Sequence, residues 1–244
     1  MPKSYVPLDH ILFLILALVS PVADYVWLYP RLIRQTKAGV PGARQRAYTA
    51  GILMQWALTL CVSAQWVHLQ RPWSALWLGE TTMSRLAAGL GLAAAVIGLL
   101  FLQRRTVLTR PEQLDKVRHQ LAAASPLLPH TPGEHTGFML LSITAGICEE
   151  FLFRGFVLWY VRVSTGLLLA AMISTILFGA AHLYLSRRDA LRAGIVGALM
   201  AVMVIATRSL LPAMILHAAV DLNSGNLAFH SFVASDRSPV NTAQ

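Results

Sequence analysis

Charge is what this sequence has least of. Asp, Glu, Lys and Arg make up 13% of its 244 residues, about half of the roughly 25% usual in soluble domains. The length alone would suit one or two soluble domains, but a chain that is 56% hydrophobic has too little polar surface to clothe them. Cysteine is nearly absent. Cys61 and Cys148 both lie in apolar runs, which gives no support to a disulfide framework and reads as two buried thiols. The zincin pattern His-Glu-x-x-His is missing, and there is no internal repeat or low-complexity tract. The net charge of +9 does not mark a nucleic-acid partner, because the basic residues sit in loops between apolar runs.

Long apolar runs are what the sequence has in abundance. About 20 residues of helix cross the hydrocarbon of a bilayer. The runs predict about seven spans near 10–29, 47–68, 84–102, 137–161, 165–186, 190–207 and 210–229, all far too long for barrel strands. The fold expected is an all-α polytopic transmembrane helix bundle with a four-helix C-terminal core. Lys3 precedes the first run as in a signal peptide, but the apolar character continues past Ser20 to Tyr29 with no small-residue cleavage site, so this span is retained.

The parts expected are a three-span region (1–103), a cytoplasmic amphipathic linker (104–135), the core (136–230) and a cytoplasmic tail (231–244). The linker should hold a surface helix over 111–124. Arg31, Arg34, Lys37, Arg44 and Arg46 follow the first span. Arg104, Arg105, Arg110, Lys116 and Arg118 follow the third, and Arg187, Arg188 and Arg192 follow the fifth. By the positive-inside rule the N-terminus is out and the C-terminus cytoplasmic. Compact length and Ala/Leu-rich spans point to a bacterial plasma membrane. Asp24 reads as an interfacial acid. Gln55 and Gln65 read as cross-helix hydrogen-bonding groups, and Arg71-Pro72-Trp73 with Trp77 as an interfacial belt.

The exception to the scarcity of charge is Cys148-Glu149-Glu150-Phe151-Leu152-Phe153-Arg154, inside the fourth apolar run. A charge at the centre of a spanning helix costs roughly 2.5–3.5 kcal/mol on insertion scales, so these groups need partners. Glu150 and Arg154 are four residues apart and share a helix face. Glu149 is rotated from Glu150 by about 100°. One acid is placed for structure and one for chemistry.

Two further motifs follow. Phe178-Gly179-Ala180-Ala181-His182 lies in the fifth run and His217-Ala218-Ala219-Val220-Asp221 in the seventh. The other six histidines lie in loops or near span ends. Gly146, Gly179, Ala180, Ala181, Ala218 and Ala219 allow close helix approach. Asp221, one turn from His217, can fix the imidazole tautomer. Together these groups cost roughly 10 kcal/mol or more to insert, more than structural glue needs. Glu149, His182 and His217 are expected to converge on one cavity.

Glu-Glu-x-x-x-Arg, Phe-x-x-x-His and His-x-x-x-Asp, in that order over 137–229, resemble the CAAX prenyl endopeptidase and bacteriocin-processing (CPBP or Abi) family of intramembrane proteases. Asp221 stands where many members have Asn. The resemblance implies peptide-bond hydrolysis in or at the edge of the membrane, with Glu149 as general base on a water and His182 positioning it. His217 and Asp221 would stabilise the oxyanion or align the water, with Glu150, Arg154 and Phe178 in support. No cofactor is favoured. If zinc takes part, Glu149, His182 and His217 would hold it.

The partners expected are membrane lipid and a protein or peptide substrate that is lipid-modified, sorting-tagged or a peptide precursor, with no nucleic acid. The alternative is a catalytically silent scaffold or immunity protein of the same fold that binds a partner. A proton-coupled transporter ranks below both, since neither paired repeats nor broken helices are visible.

Overall fold

The computed structural model describes residues 5–236, with side chains through residue 233. Lys3, Arg237 and the rest of the expected tail beyond Asp236 lie outside them. Among the described residues every regular element is helical. The helices are α1 (Pro7–Lys37), α2 (Ala43–His68), α3 (Met83–Leu108), α4 (Pro111–Gln120), α5 (Pro132–Thr165), α6 (Leu167–Ala180), α7 (Arg187–Thr207) and α8 (Leu211–Asp236).

Five of them, α1, α2, α3, α5 and α7, are long and apolar enough to cross a membrane. Helix α6 is apolar but has only 14 residues. Helix α8 has 26 residues and carries His217, Asp221, Asn223, Asn226 and His230 along its length. With these two the arrangement is the expected all-helical polytopic bundle.

Local chemistry sets the ends. Thr131 caps α5 in a reciprocal box with Glu134, and Pro132 occupies the first turn, where its missing N–H is not needed. Ser186 caps α7 by accepting from the Asp189 amide at 3.0 Å. Gly166 reverses the chain between α5 and α6 at φ 88°, a conformation that a side chain would strain.

Helix α5 is the axis of the bundle. Over its most apolar stretch 56% of residues are buried, against 11% for α1 and α3. Phe156, Val157 and Leu158 are wholly buried against Val62, Leu76, Val204 and Leu210. Leu18, Val26, Leu53, Leu60, Leu99, Ile176 and Leu199 point outward, as residues facing acyl chains do.

Two polar arrangements differ from the sequence expectation. Arg71, read from the sequence as part of an interfacial belt, is turned into the protein rather than toward the outside. It is buried and pairs bidentately with Asp9, through Nη1–Oδ1 at 2.8 Å and Nη2–Oδ2 at 2.7 Å. Gln65 donates to the same carboxylate at 3.0 Å, and the guanidinium lies 4.7 Å from the Trp159 ring centroid. This knot ties the start of α1 to the end of α2.

The segment between α3 and α5 holds a helix, α4, over Pro111–Gln120 of the 111–124 expected to be helical, and it is tied to the bundle. Arg118 donates to the Ser231 carbonyl, Tyr48 to that of Leu127 and Tyr29 to that of Ala123. Arg44 pairs with Glu134.

Candidate active site

The charged motif sits where α5 changes pitch. Glu149 ends the α-helical part, and Glu150 begins a π-helical stretch, Glu150–Val157. Wide turns of this kind occur mostly as short insertions, often at functional sites. No proline or other sequence signal announces it. Arg154 Nη1 still donates to Glu150 Oε1 at 2.8 Å, and neither side chain is exposed. The guanidinium is stacked 4.0 Å from the Phe178 ring centroid.

Glu150 also holds His217. The imidazole Nδ1 lies 2.8 Å from the same Oε1. A carboxylate paired with arginine accepts, so Nδ1 carries the proton and Nε2 faces the other way. The sequence assigns this orienting task to Asp221, but the geometry gives it to Glu150. Asp221 Oδ2 instead lies 3.6 Å from Nε2.

Glu149 faces a different neighbourhood from Glu150, as the rotation between them requires. Its side chain is 20% exposed, and Oε2 lies 3.9 Å from His217 Nε2. Its Oε1 accepts from Gln55 Nε2 of α2 at 2.8 Å. One oxygen is thus fixed and the other is directed at the imidazole. The separations around Nε2 exceed a direct hydrogen bond and suit a bridging atom.

His182 is not inside a helix. Helix α6 ends at Ala180, and His182 lies half-buried in the following turn. Its Nδ1 is 2.9 Å from the Phe178 carbonyl, which can only accept, so Nε2 offers a lone pair. The Phe178 ring joins the cluster, tilted against His182 at 4.9 Å and edge-on to His217 at 5.8 Å between centroids. At 1.5 Å per residue the 14-residue α6 reaches about 21 Å, short of the ~30 Å hydrocarbon. Tilt shortens its reach further. Irregular backbone at that depth is tolerated where it is buried in protein or lines an aqueous cavity.

Close packing brings the pieces together. A Cβ on Gly146 would sit 2.6 Å from the Ala218 nitrogen, and one on Gly197 would sit 2.6 Å from Arg154 Nη2. Asp24, read from sequence as interfacial, starts a π-turn in α1 and lies within electrostatic reach of Glu149. Tyr184 is within reach of Asp24, Glu149 and Asp221. Asp24 is visible in the sequence as a lone acid in an apolar run. Gln55 is visible as a polar residue in another, but its partner lies 94 positions away.

Among the described residues no group of three or more His, Cys, Asp or Glu side chains is disposed to hold a metal ion.

Residues 132–223 match the family described as type II CAAX prenyl endopeptidase, Rce1-like. The match begins at the first residue of α5 and ends in α8, so it contains Glu149, Glu150, Arg154, Phe178, His182, His217 and Asp221 and leaves out Asp24 and Gln55. Neither the curated proteins nor the solved structures give a match. The apolar helices make the protein an integral membrane protein, and over residues 132–223 it is similar to the type II CAAX prenyl endopeptidase Rce1-like family of proteases.

Proposed function

We propose that the protein is an intramembrane endopeptidase in which Glu149 activates water. One observation carries the reading. Gln55 pins Glu149 Oε1, while Glu149 Oε2 and Asp221 Oδ2 both border His217 Nε2, at 3.9 and 3.6 Å. A water among these atoms can lose its proton to Glu149 as its oxygen bonds to the scissile carbonyl carbon. Glu149 then returns that proton to the leaving amine as the C–N bond breaks. His182 Nε2, with its lone pair free, would accept from the same water and aim it. His217, when protonated, would donate from Nε2 to the developing oxyanion while Glu150 retains Nδ1–H. Glu150, Arg154 and Phe178 hold that imidazole and do not touch the reacting atoms.

The substrates we propose are lipid-modified or sorting-tagged proteins, or peptide precursors, cut near the membrane surface. The mechanism we propose is metal-free, with Glu149 as the base.

The test uses the full chain in proteoliposomes with an internally quenched peptide ending in a lipid-bearing cysteine. Glu149→Gln should abolish turnover without lowering the melting temperature, and exhaustive chelation should leave the wild type active. Full activity in Glu149→Gln would remove the proposed base. Complete, zinc-reversible loss on chelation would replace the metal-free mechanism.

A further inference from the structure

Two cavities lie away from the acidic cluster, at the end of the bundle where α5 gives way to α6. The first, of about 290 Å³, is lined by Pro72, Trp77, Glu80, Arg162 and Arg208, among others, and reaches Leu167 and Ile205. The second, of about 470 Å³, is an apolar groove between α6 and α7 that starts from the same Leu167 and Ile205. It continues along Ala171 and Thr175 on one side and Ala201 and Ala198 on the other. From Leu167 to Thr175 the groove descends about 12 Å at 1.5 Å per residue.

We propose that these two cavities form one site for a phosphatidylglycerol molecule, with the phosphodiester at Arg162 and Arg208 and an acyl chain in the α6–α7 groove. Three observations carry it. First, neither arginine has an ion-pair partner within 4 Å among the described residues; Arg162 lies over the Trp77 ring, 5.3 Å from its centroid. Second, the Trp77 indole N–H is buried and has no hydrogen-bond partner among the described residues, although Trp77 lines the polar cavity. A phosphate oxygen is the acceptor such a donor lacks.

Third, the two parts are stacked as a lipid is. The charged cavity lies at helix ends, and the apolar groove runs from it toward the bundle's middle, so headgroup and tail would enter in the orientation of the surrounding leaflet. With Glu80 on the rim, the two arginines leave a surplus of one positive charge. That complements the single negative charge of phosphatidylglycerol better than a zwitterionic headgroup.

The delipidated full-length protein in detergent tests this, by native mass spectrometry and thermal shift, with phosphatidylglycerol, phosphatidylcholine and inorganic phosphate as separate probes. Phosphatidylglycerol should bind one per chain and raise the melting temperature, with phosphatidylcholine and phosphate far weaker. Arg162→Gln with Arg208→Gln should weaken phosphatidylglycerol binding roughly 30-fold, two surface charges' worth. Glu80→Gln should strengthen it, and Ala198→Phe, which fills the groove, should weaken it with both arginines intact. Equal binding of the two lipids, unchanged in the double variant, would show only annular lipid and overturn the site. Phosphate binding as strongly as the lipid, with Ala198→Phe silent, would overturn the tail assignment and leave a free-anion site. None of these substitutions touches Glu149, His182 or His217, so turnover reports separately on the proposed hydrolysis.

Discussion

Gly146→Ala is the sharpest probe of how the site is assembled. The added Cβ would lie 2.6 Å from the Ala218 nitrogen, 2.7 Å from the Ala218 Cβ and 2.8 Å from the Met214 carbonyl oxygen. Carbon atoms rest at about 3.5–4.0 Å, so α5 and α8 must part by about 1 Å. Two of the three obstructions are backbone, and no rotamer change relieves them. Overpacking of this kind costs about 1–3 kcal/mol.

The same displacement acts on chemistry. Gly146 is three residues before Glu149, and Ala218 directly follows His217, so the 3.9 Å between Glu149 Oε2 and His217 Nε2 widens with the helices. A misplacement of about 1 Å can cost about 100-fold in rate. Initial rates of quenched-peptide cleavage in proteoliposomes should therefore fall about 100-fold in kcat, with a lowered melting temperature in detergent. Adding Ala218→Gly should not restore activity, because the clashes with the Ala218 nitrogen and the Met214 oxygen remain. A Gly146→Ala enzyme within about threefold of wild type, melting at the same temperature, would refute the claim that helix contact sets the catalytic spacing.

Other substitutions test the remaining contacts. Gln55→Ala removes the hydrogen bond to Glu149 Oε1; a bond to a charged group is worth about 1.5–3 kcal/mol, so kcat/KM should drop roughly 10- to 100-fold while the melting temperature barely moves. Asp9→Asn leaves Arg71 buried without its carboxylate; breaking such a pair costs about 3–5 kcal/mol, or roughly 10 °C in a thermal melt for a chain of this size, with activity per folded molecule unchanged. Gly197→Ala puts a Cβ 2.6 Å from Arg154 Nη2 and 2.9 Å from Phe178 Cδ1. Both side chains are buried and have nowhere to go, so stability should fall by about 1–3 kcal/mol and turnover with it; a silent substitution would show that the guanidinium position is not fixed.

Burial cost makes much of the site legible. Charges inside apolar runs are expensive enough that Glu149, Glu150, Arg154, His217 and Asp221 stand out without coordinates. The four-residue spacing of Glu150 and Arg154 is enough to pair them, as Arg154 Nη1 on Glu150 Oε1 bears out. Spacing along one helix cannot show that Glu150 also takes His217, because that contact joins residues 67 positions apart. The Asp9–Arg71 pair is hidden for the same reason, and because both residues fall near span ends, where a charge has water within reach and draws no attention. The sequence places His182 in a span because the apolar character runs on past Ala180; hydropathy does not register where a helix stops. The π-helical stretch leaves no mark on composition at all.

Gln55 has a consequence for anyone reducing or recombining this protein. The segment similar to the family's signature, residues 132–223, receives a hydrogen bond on Glu149 from Gln55 of α2, and Asp24 of α1 lies within electrostatic reach of the same carboxylate. A minimal version trimmed to that signature would lose the donor that orients Glu149. Chimeras between relatives should inherit the leading helices and the core as a single cassette, since an exchange made at the linker would leave the two halves of the proposed catalytic centre on different parents.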